Sequence, residues 1–411
     1  MKLFGPFSQL IGLDNLPLKG ALQDEQLEII SNGGLLVEGE KIVATGDFEA
    51  LIQQYELGEE VIERIVGPSV ALPGFVDAHT HICYGGSRAM DFAARNGGKS
   101  YQEIAAAGGG IWSSVQHTRG AGVEQLCNNI LSRLQEMSTW GVTTVEIKSG
   151  YGLSVEHELR QLRAIRKASE NSPLDIIATC LAAHIVPRDF EEGESKYLKM
   201  ILHELVPLIQ EEGLAQRFDA FVEENAFSVR LAKPYLEVLK SMGFGISIHG
   251  DQFSTGGSAL AVEIGAMSVD HLEASGEAEI ELLSKSEVIP VALPGASLGL
   301  GCAFAPARKL LDRGASLAIA SDWNPGSAPM GDLLTQASIL STFEQLSATE
   351  VFAGLTFRAA AVLNMQQVGR LKAGYQADWM IFATDDFREI LYQQGRMRPS
   401  QVWKKGQKLL V

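Results

Sequence analysis

Cysteine is scarce in this chain of 411 residues, and what there is does not pair. Cys83, Cys127, Cys180 and Cys302 are far apart and form no Cys-x-x-Cys motif, which argues against a disulfide framework or a zinc-finger cluster. Reduced, mostly buried thiols in the cytoplasm are the expectation. Long apolar runs are also missing: none approaches the ~18 residues of a membrane span. The stretch from Met1 to Gly20 is broken by Gly, Pro and Asp and holds no signal-peptide core. Positive charge is in deficit, with 34 Lys and Arg against 50 Asp and Glu, a net −16. That balance argues against nucleic acid or an anionic membrane as partner. An anionic small molecule would need a local basic anchor. No internal repeat or low-complexity tract is evident.

What is present reads as a large domain plus a small one. Residues 1–65 look like short strands and turns, including a hairpin over Gly33–Gly46 around Glu38-Gly39-Glu40. Leu371–Phe382 and Val402–Val411 have the same texture, so residues 1–65 plus 365–411 are expected to form one small β-sandwich domain. Between them, over residues 66–364, eight apolar strand-like runs alternate with helix-like segments: Val70–His81, Thr143–Lys148, Asp175–His184, Phe218–Glu224, Gly245–His249, Ser268–His271, Val288–Leu293 and Ser316–Asp322. Strands alternating with helical patterns mean parallel βαβ units, and eight of them predict an α/β fold, a (β/α)8 barrel. A doubly wound open sheet is disfavoured, because no Gly-x-Gly-x-x-Gly follows the first run. Gly97-Gly98 and Gly108-Gly109-Gly110 punctuate the longest connection and suggest an excursion over a site.

Histidine placement turns this barrel into a candidate metalloprotein. His79 and His81 are two apart, and alternate residues of a strand share a face. Of eight histidines, five (His79, His81, His184, His249, His271) close predicted strands, where a barrel gathers its functional groups. His117, His157 and His203 fall in helical or loop segments and read as surface residues. Asp322 ends the eighth run, and closure sets strand eight beside strand one, so Asp322 should face His79 and His81. Three histidines and one carboxylate suit a mononuclear transition-metal site with a position left for water.

Specific motifs then carry a resemblance. They are Leu72-Pro73-Gly74-Phe75-Val76-Asp77-Ala78-His79-Thr80-His81, Gly85-Gly86-Ser87-Arg88, Glu146-Ile147-Lys148-Ser149-Gly150-Tyr151-Gly152-Leu153, Ala182-Ala183-His184, His249-Gly250-Asp251-Gln252 and Ser321-Asp322-Trp323-Asn324-Pro325-Gly326-Ser327. Together they resemble the amidohydrolase superfamily and, within it, the imidazolonepropionase family of histidine degradation, over the whole barrel and both flanks. The resemblance implies a metal-dependent hydrolase barrel with a β-sandwich from both termini. It implies opening of the cyclic amide of 4-imidazolone-5-propanoate to N-formimidoyl-L-glutamate. By the same resemblance one zinc or iron ion per chain is held by His79, His81, His249 and Asp322. Substrate is contacted by Arg88, Tyr151, His184, Gln252, Asn324, Gly326 and Ser327, and the chain is expected to pair as a homodimer.

Two departures are visible. Position 327 is often Thr in the family, and Ser keeps the hydroxyl. Position 252 is Glu in some members, and a glutamine cannot exchange a proton. Proton transfer is therefore expected from Asp322, with His271 as second candidate, and oxyanion stabilisation from the metal or His184. Arg88 is expected to clamp the propionate with help from Tyr151; Tyr101 is a weaker contact candidate. Lys148 invites comparison with the carboxylated bridging lysine of binuclear relatives. That lysine belongs on strand four, where this chain has Phe221-Val222-Glu223-Glu224, so one metal is expected; Glu223 and Glu224 would pair or support. The competing readings are a deaminase or amidase of another nitrogen heterocycle, which Gln252 disfavours, and a non-catalytic barrel, which should have lost ligands.

Overall fold

The computed structural model describes all residues except 101, 102, 105, 106, 225, 410 and 411, so Tyr101 and the last two residues of the C-terminal run lie outside the described residues. Eight strands pair in parallel, each with the next in sequence: Phe75–Asp77, Val142–Lys148, Asp175–Ala183, Arg217–Val222, Gly245–Gly250, Ser268–His271, Ile289–Ala292 and Ala318–Ile319. They are called barrel strands one to eight below. Beyond the regular strands, strand eight meets strand one. Thr80 bridges Trp323, Asp322 N–H donates to the His79 carbonyl at 3.0 Å, and His81 N–H donates to the Trp323 carbonyl at 2.9 Å. The same bonds that close the ring therefore bring the expected ligands together.

Helices on the outside cover the barrel. In Val123–Thr139, Leu126, Ile130, Leu134 and Met137 are buried at helical spacing and pack on the strands. Val155–Asn171 starts at Ser154, whose hydroxyl accepts the His157 N–H, and buries Leu159, Leu162 and Ile165. Helix Gly257–Ile264 follows strand five so closely that a Cβ on Gly257 would lie 2.5 Å from the Gly250 Cα. Only glycines allow that approach beside His249.

Both ends of the chain form the β-sandwich. One sheet runs Lys41–Asp47, Gly33–Glu38, Lys2–Phe7, Ile62–Arg64; the other runs Gln407–Lys408, Gln401–Lys404, Trp379–Phe382, Val70–Pro73, Gln9–Ile11, Ile29–Ile30. Phe4, Leu35, Trp379 and Trp403 fill the space between them, the two indoles stacked at 4.9 Å. The expected hairpin is present, Gly33–Glu38 against Lys41–Asp47. One expectation needs correction. The run Val70–His81 is not a single barrel strand, because Val70–Pro73 pairs with Trp379–Phe382 in the sandwich and only Phe75–Asp77 enters the barrel. Gly74 separates the halves; a Cβ there would strike Thr143 at 2.4 Å. Cys83, Cys127 and Cys180 are buried and Cys302 is exposed. No helix of the described residues is long and apolar enough to cross a membrane.

Candidate metal centre and substrate cavity

Four donor atoms converge at the C-terminal end of the barrel. His79 Nε2 and His249 Nε2 each lie 3.2 Å from His81 Nε2. Asp322 Oδ1 lies 3.5 Å from His79 Nε2 and 3.4 Å from His81 Nε2. A carboxylate lies behind two of the rings: Asp270 Oδ2 hydrogen-bonds His79 Nδ1 at 2.7 Å, and Asp219 Oδ1, which accepts the His249 backbone N–H at 3.1 Å, lies 3.0 Å from His249 Nδ1 as a charge contact off hydrogen-bond geometry. A carboxylate can only accept, so these neighbours favour the proton on Nδ1 and turn each Nε2 lone pair inward. Lone pairs at such spacing repel one another unless a cation sits between them. Metal–nitrogen bonds of about 2.1 Å give tetrahedral edges of about 3.4 Å, so the donor set fits a transition metal.

Electrostatics favour the ligand forms. Burial, with the Lys148 charge, pushes the His79 imidazole well below its ordinary value, and burial outweighs Asp219 to bring His249 to about 4, so both stay neutral. For Asp322 burial acts upward but is outweighed by its hydrogen bond to His81 and by the neighbouring imidazoles, which hold the carboxyl below its usual range. His271 is different. Burial opposes its charge, yet Glu273, 3.5 Å from its Nδ1, and Asp322 raise it to about 9. Backbone conformation is unusual at the same place: Asp322, His271 and Leu272 have φ of 51°, 91° and 77°. Strained non-glycine residues persist where surroundings over-determine them, and they cluster at functional sites.

Over these donors lies a cavity of about 180 Å³. The seven substrate-contacting residues that the resemblance implies line it: Arg88, Tyr151, His184, Gln252, Asn324, Gly326 and Ser327, together with His81, His249, His271 and Asp322. His79 lies behind, fully buried. Arg88 is aimed by Asp91, which accepts its Nε–H at 2.8 Å and the Gly110 N–H at 2.8 Å. A Cβ on Gly326 would lie 2.4 Å from Arg88 Nη1, so the guanidinium needs that glycine. Tyr151 is carried by a loop whose backbone N–H groups donate to helix Val155–Asn171: Tyr151 to Gln161, and Gly152 and Leu153 to Glu158. Burial pushes its phenol up, so it remains a donor. His184 Nδ1 donates to the Gly150 carbonyl at 3.0 Å, and burial keeps the ring neutral.

The chain matches known proteins along most of its length. The amidohydrolase family profile covers residues 70–409. A relative from Rubrobacter xylanophilus named imidazolonepropionase is 40% identical over 393 residues, 95% of this chain and 94% of its own. Another from Alkaliphilus oremlandii, of the same name, is 36% identical over 393 residues, 95% and 93% of the two chains. This chain belongs to the imidazolonepropionase family of amidohydrolases. Among solved structures, guanine deaminase from C. acetobutylicum with bound guanine covers all of both chains at a TM-score of 0.72 and 15% identity. Atrazine chlorohydrolase from Arthrobacter aurescens with zinc gives 0.71 at 16% identity, over 100% of this chain and 95% of its own. At such identities these two show the fold alone.

Within this family member several expected residues have jobs the sequence did not show. Asn324 Nδ2 donates to Asp322 Oδ2 at 2.9 Å and to the Asp322 carbonyl, while its Oδ1 accepts the Gly326 and Ser327 N–H groups, so its amide organises the strand-eight loop. Glu223 accepts from the backbone N–H groups of Gln252, Phe253 and Ser254 and fixes that loop. Lys148 is buried and paired with Glu146 and Asp219. His117 and His203 are exposed and His157 is half-buried, as expected of surface histidines. Arg95 was missed: it lines the cavity, and its Nη2 is buried with no hydrogen-bond partner among the described residues. Its spacing of two helical turns from Arg88 was the available clue.

Proposed function

We propose that this chain hydrolyses the cyclic amide of 4-imidazolone-5-propanoate to N-formimidoyl-L-glutamate, using one zinc or iron ion held by His79, His81, His249 and Asp322. The observation that carries the reading is a donor set of three histidines and a carboxylate at the floor of a cavity whose rim bears Arg88. A metal held there supplies Lewis acidity and lets water act as a nucleophile at neutral pH. Arg88, already aimed by Asp91, takes the propionate in a bidentate pair, Tyr151 adds a hydroxyl, and Arg95 adds a second positive charge to the cavity. His184, with its Nδ1–H engaged by Gly150, offers an Nε2 lone pair and therefore accepts a ring N–H; donation to an oxyanion does not suit its neutral form. Gln252 can hydrogen-bond the ring without exchanging a proton.

The bond that breaks joins the ring carbonyl carbon to nitrogen. Water adds to the carbon, and Asp322 takes its proton and returns it to the departing nitrogen. His271, charged beside Glu273, faces the same cavity and stabilises negative charge developing on the carbonyl oxygen. The test is loss of imidazolone absorbance on incubation with the zinc-loaded chain. Substrate consumption by wild type and none by Asp322→Asn supports the assignment. Equal rates for both would remove Asp322 from the proton path.

A further inference from the structure

The charges beneath the metal site share one centre, the Lys148 ammonium. It is fully buried on barrel strand two and does not line the cavity, so it cannot touch substrate. Asp219 Oδ2 and Glu146 Oε2 lie 2.7 Å from its Nζ, and Asp270 Oδ2 lies 3.8 Å away. The two aspartates come from strands four and six, and each lies behind a different ring of the site: Asp270 hydrogen-bonds His79 Nδ1, and Asp219 accepts the His249 backbone N–H with its Oδ1 3.0 Å from His249 Nδ1. A single cation therefore stands between the supports of two ligands that come from opposite parts of the barrel.

We propose that Lys148 is a positioning residue for the metal centre, holding Asp219 and Asp270 so that His249 and His79 keep their orientation and tautomer together. This rests on the metal reading above. An ammonium has three donors and no acceptor, so the oxygens that face it act as acceptors. Carboxylates held this way accept Nδ1–H and leave Nε2 free for the ion. Without the ammonium, Asp219 keeps the Ser247 hydroxyl at Oδ2 and the His249 backbone N–H at Oδ1, but loses the charge that sets the tilt of its carboxylate toward the ring. Each imidazole then loses a fixed acceptor and is free to place its proton on Nε2, where the ion belongs. The rival role is charge balance alone. Lys148→Met combined with Glu146→Gln separates the two, because it removes one ammonium and one carboxylate that touches neither ring.

The experiment measures Zn²⁺ affinity by competition with a chromogenic chelator for wild type, Lys148→Met and the double variant. Histidine ¹⁵N spectra of the metal-free chains report the tautomers, and thermal unfolding reports the fold. Wild type should bind Zn²⁺ and show His79 and His249 as Nδ1–H tautomers. Both variants should stay folded, bind Zn²⁺ more weakly on the order of 10–100-fold, and show mixed tautomers at both rings. Wild-type affinity and tautomers in the double variant would assign Lys148 to charge balance and overturn the inference. Failure of both variants to fold would assign it to the core and overturn it too. A wild-type chain that binds no Zn²⁺ removes the metal reading itself, so the two failures are told apart.

Discussion

At the scale of single residues, the division of labour between binding and turnover is the checkable point. Asp322 is buried and is both the proposed ligand and the proposed proton carrier. Asp322→Asn should lower kcat by about 10²–10⁴-fold with KM changed little, measured on protein whose metal content has been assayed. Arg88→Met should do the reverse, raising KM roughly 100-fold through loss of a charge-assisted bidentate pair. Gly326→Ala should raise KM in the same direction but by less, because its Cβ would lie 2.4 Å from Arg88 Nη1 and displace a guanidinium that keeps its charge. Normal KM in Gly326→Ala would mean the guanidinium is not seated there during binding. The ligand histidines were legible because strand alternation and strand ends are sequence-level properties. Asp219, Asp270 and Lys148 were legible only as an anomaly: charged residues inside apolar strands that must find partners. Which partners they find depends on strands four, six and two meeting in space, and one sequence does not hold that.

Among elements, the junction between barrel and sandwich is the least obvious from sequence. Val70–Pro73 and Phe75-Val76 are both apolar, so only Gly74 marks where the chain leaves one sheet for another. The two bodies are also joined by charge. Lys404, on the sandwich strand Gln401–Lys404, lies 2.7 Å from Asp175 at the start of barrel strand three and 2.7 Å from Asp378. Breaking it leaves the buried Asp378 without its cation, while Asp175 keeps Lys405 at 3.0 Å, so Lys404→Met should cost about 3 kcal/mol in denaturant unfolding. A pH dependence follows. Burial raises the Asp175 carboxyl, but Lys404 and its hydrogen bonds outweigh that and set it below its ordinary 3.8. A depressed carboxylate stabilises the fold above its unfolded pKa, and that stability is lost as pH falls below about 4 toward the folded value. Lys404→Met should flatten this acid-side slope. An unchanged slope would place the acid sensitivity elsewhere.

For the whole molecule, the barrel core and the sandwich core are built from apolar side chains independent of the metal, so chelation should abolish activity without unfolding the chain. Far-ultraviolet circular dichroism should be unchanged, and added Zn²⁺ should restore turnover and raise Tm by binding the native state. Loss of the fold on chelation would make the ion structural. The central claim is hydrolytic ring opening rather than release of an amino group. It is tested most directly by incubating the metal-loaded protein with 4-imidazolone-5-propanoate in ¹⁸O-labelled water and analysing the products. One labelled oxygen in the new carboxylate of N-formimidoyl-L-glutamate, with no ammonia, is the predicted result. Ammonia release, or unchanged substrate in the presence of folded and metal-loaded protein, would contradict it.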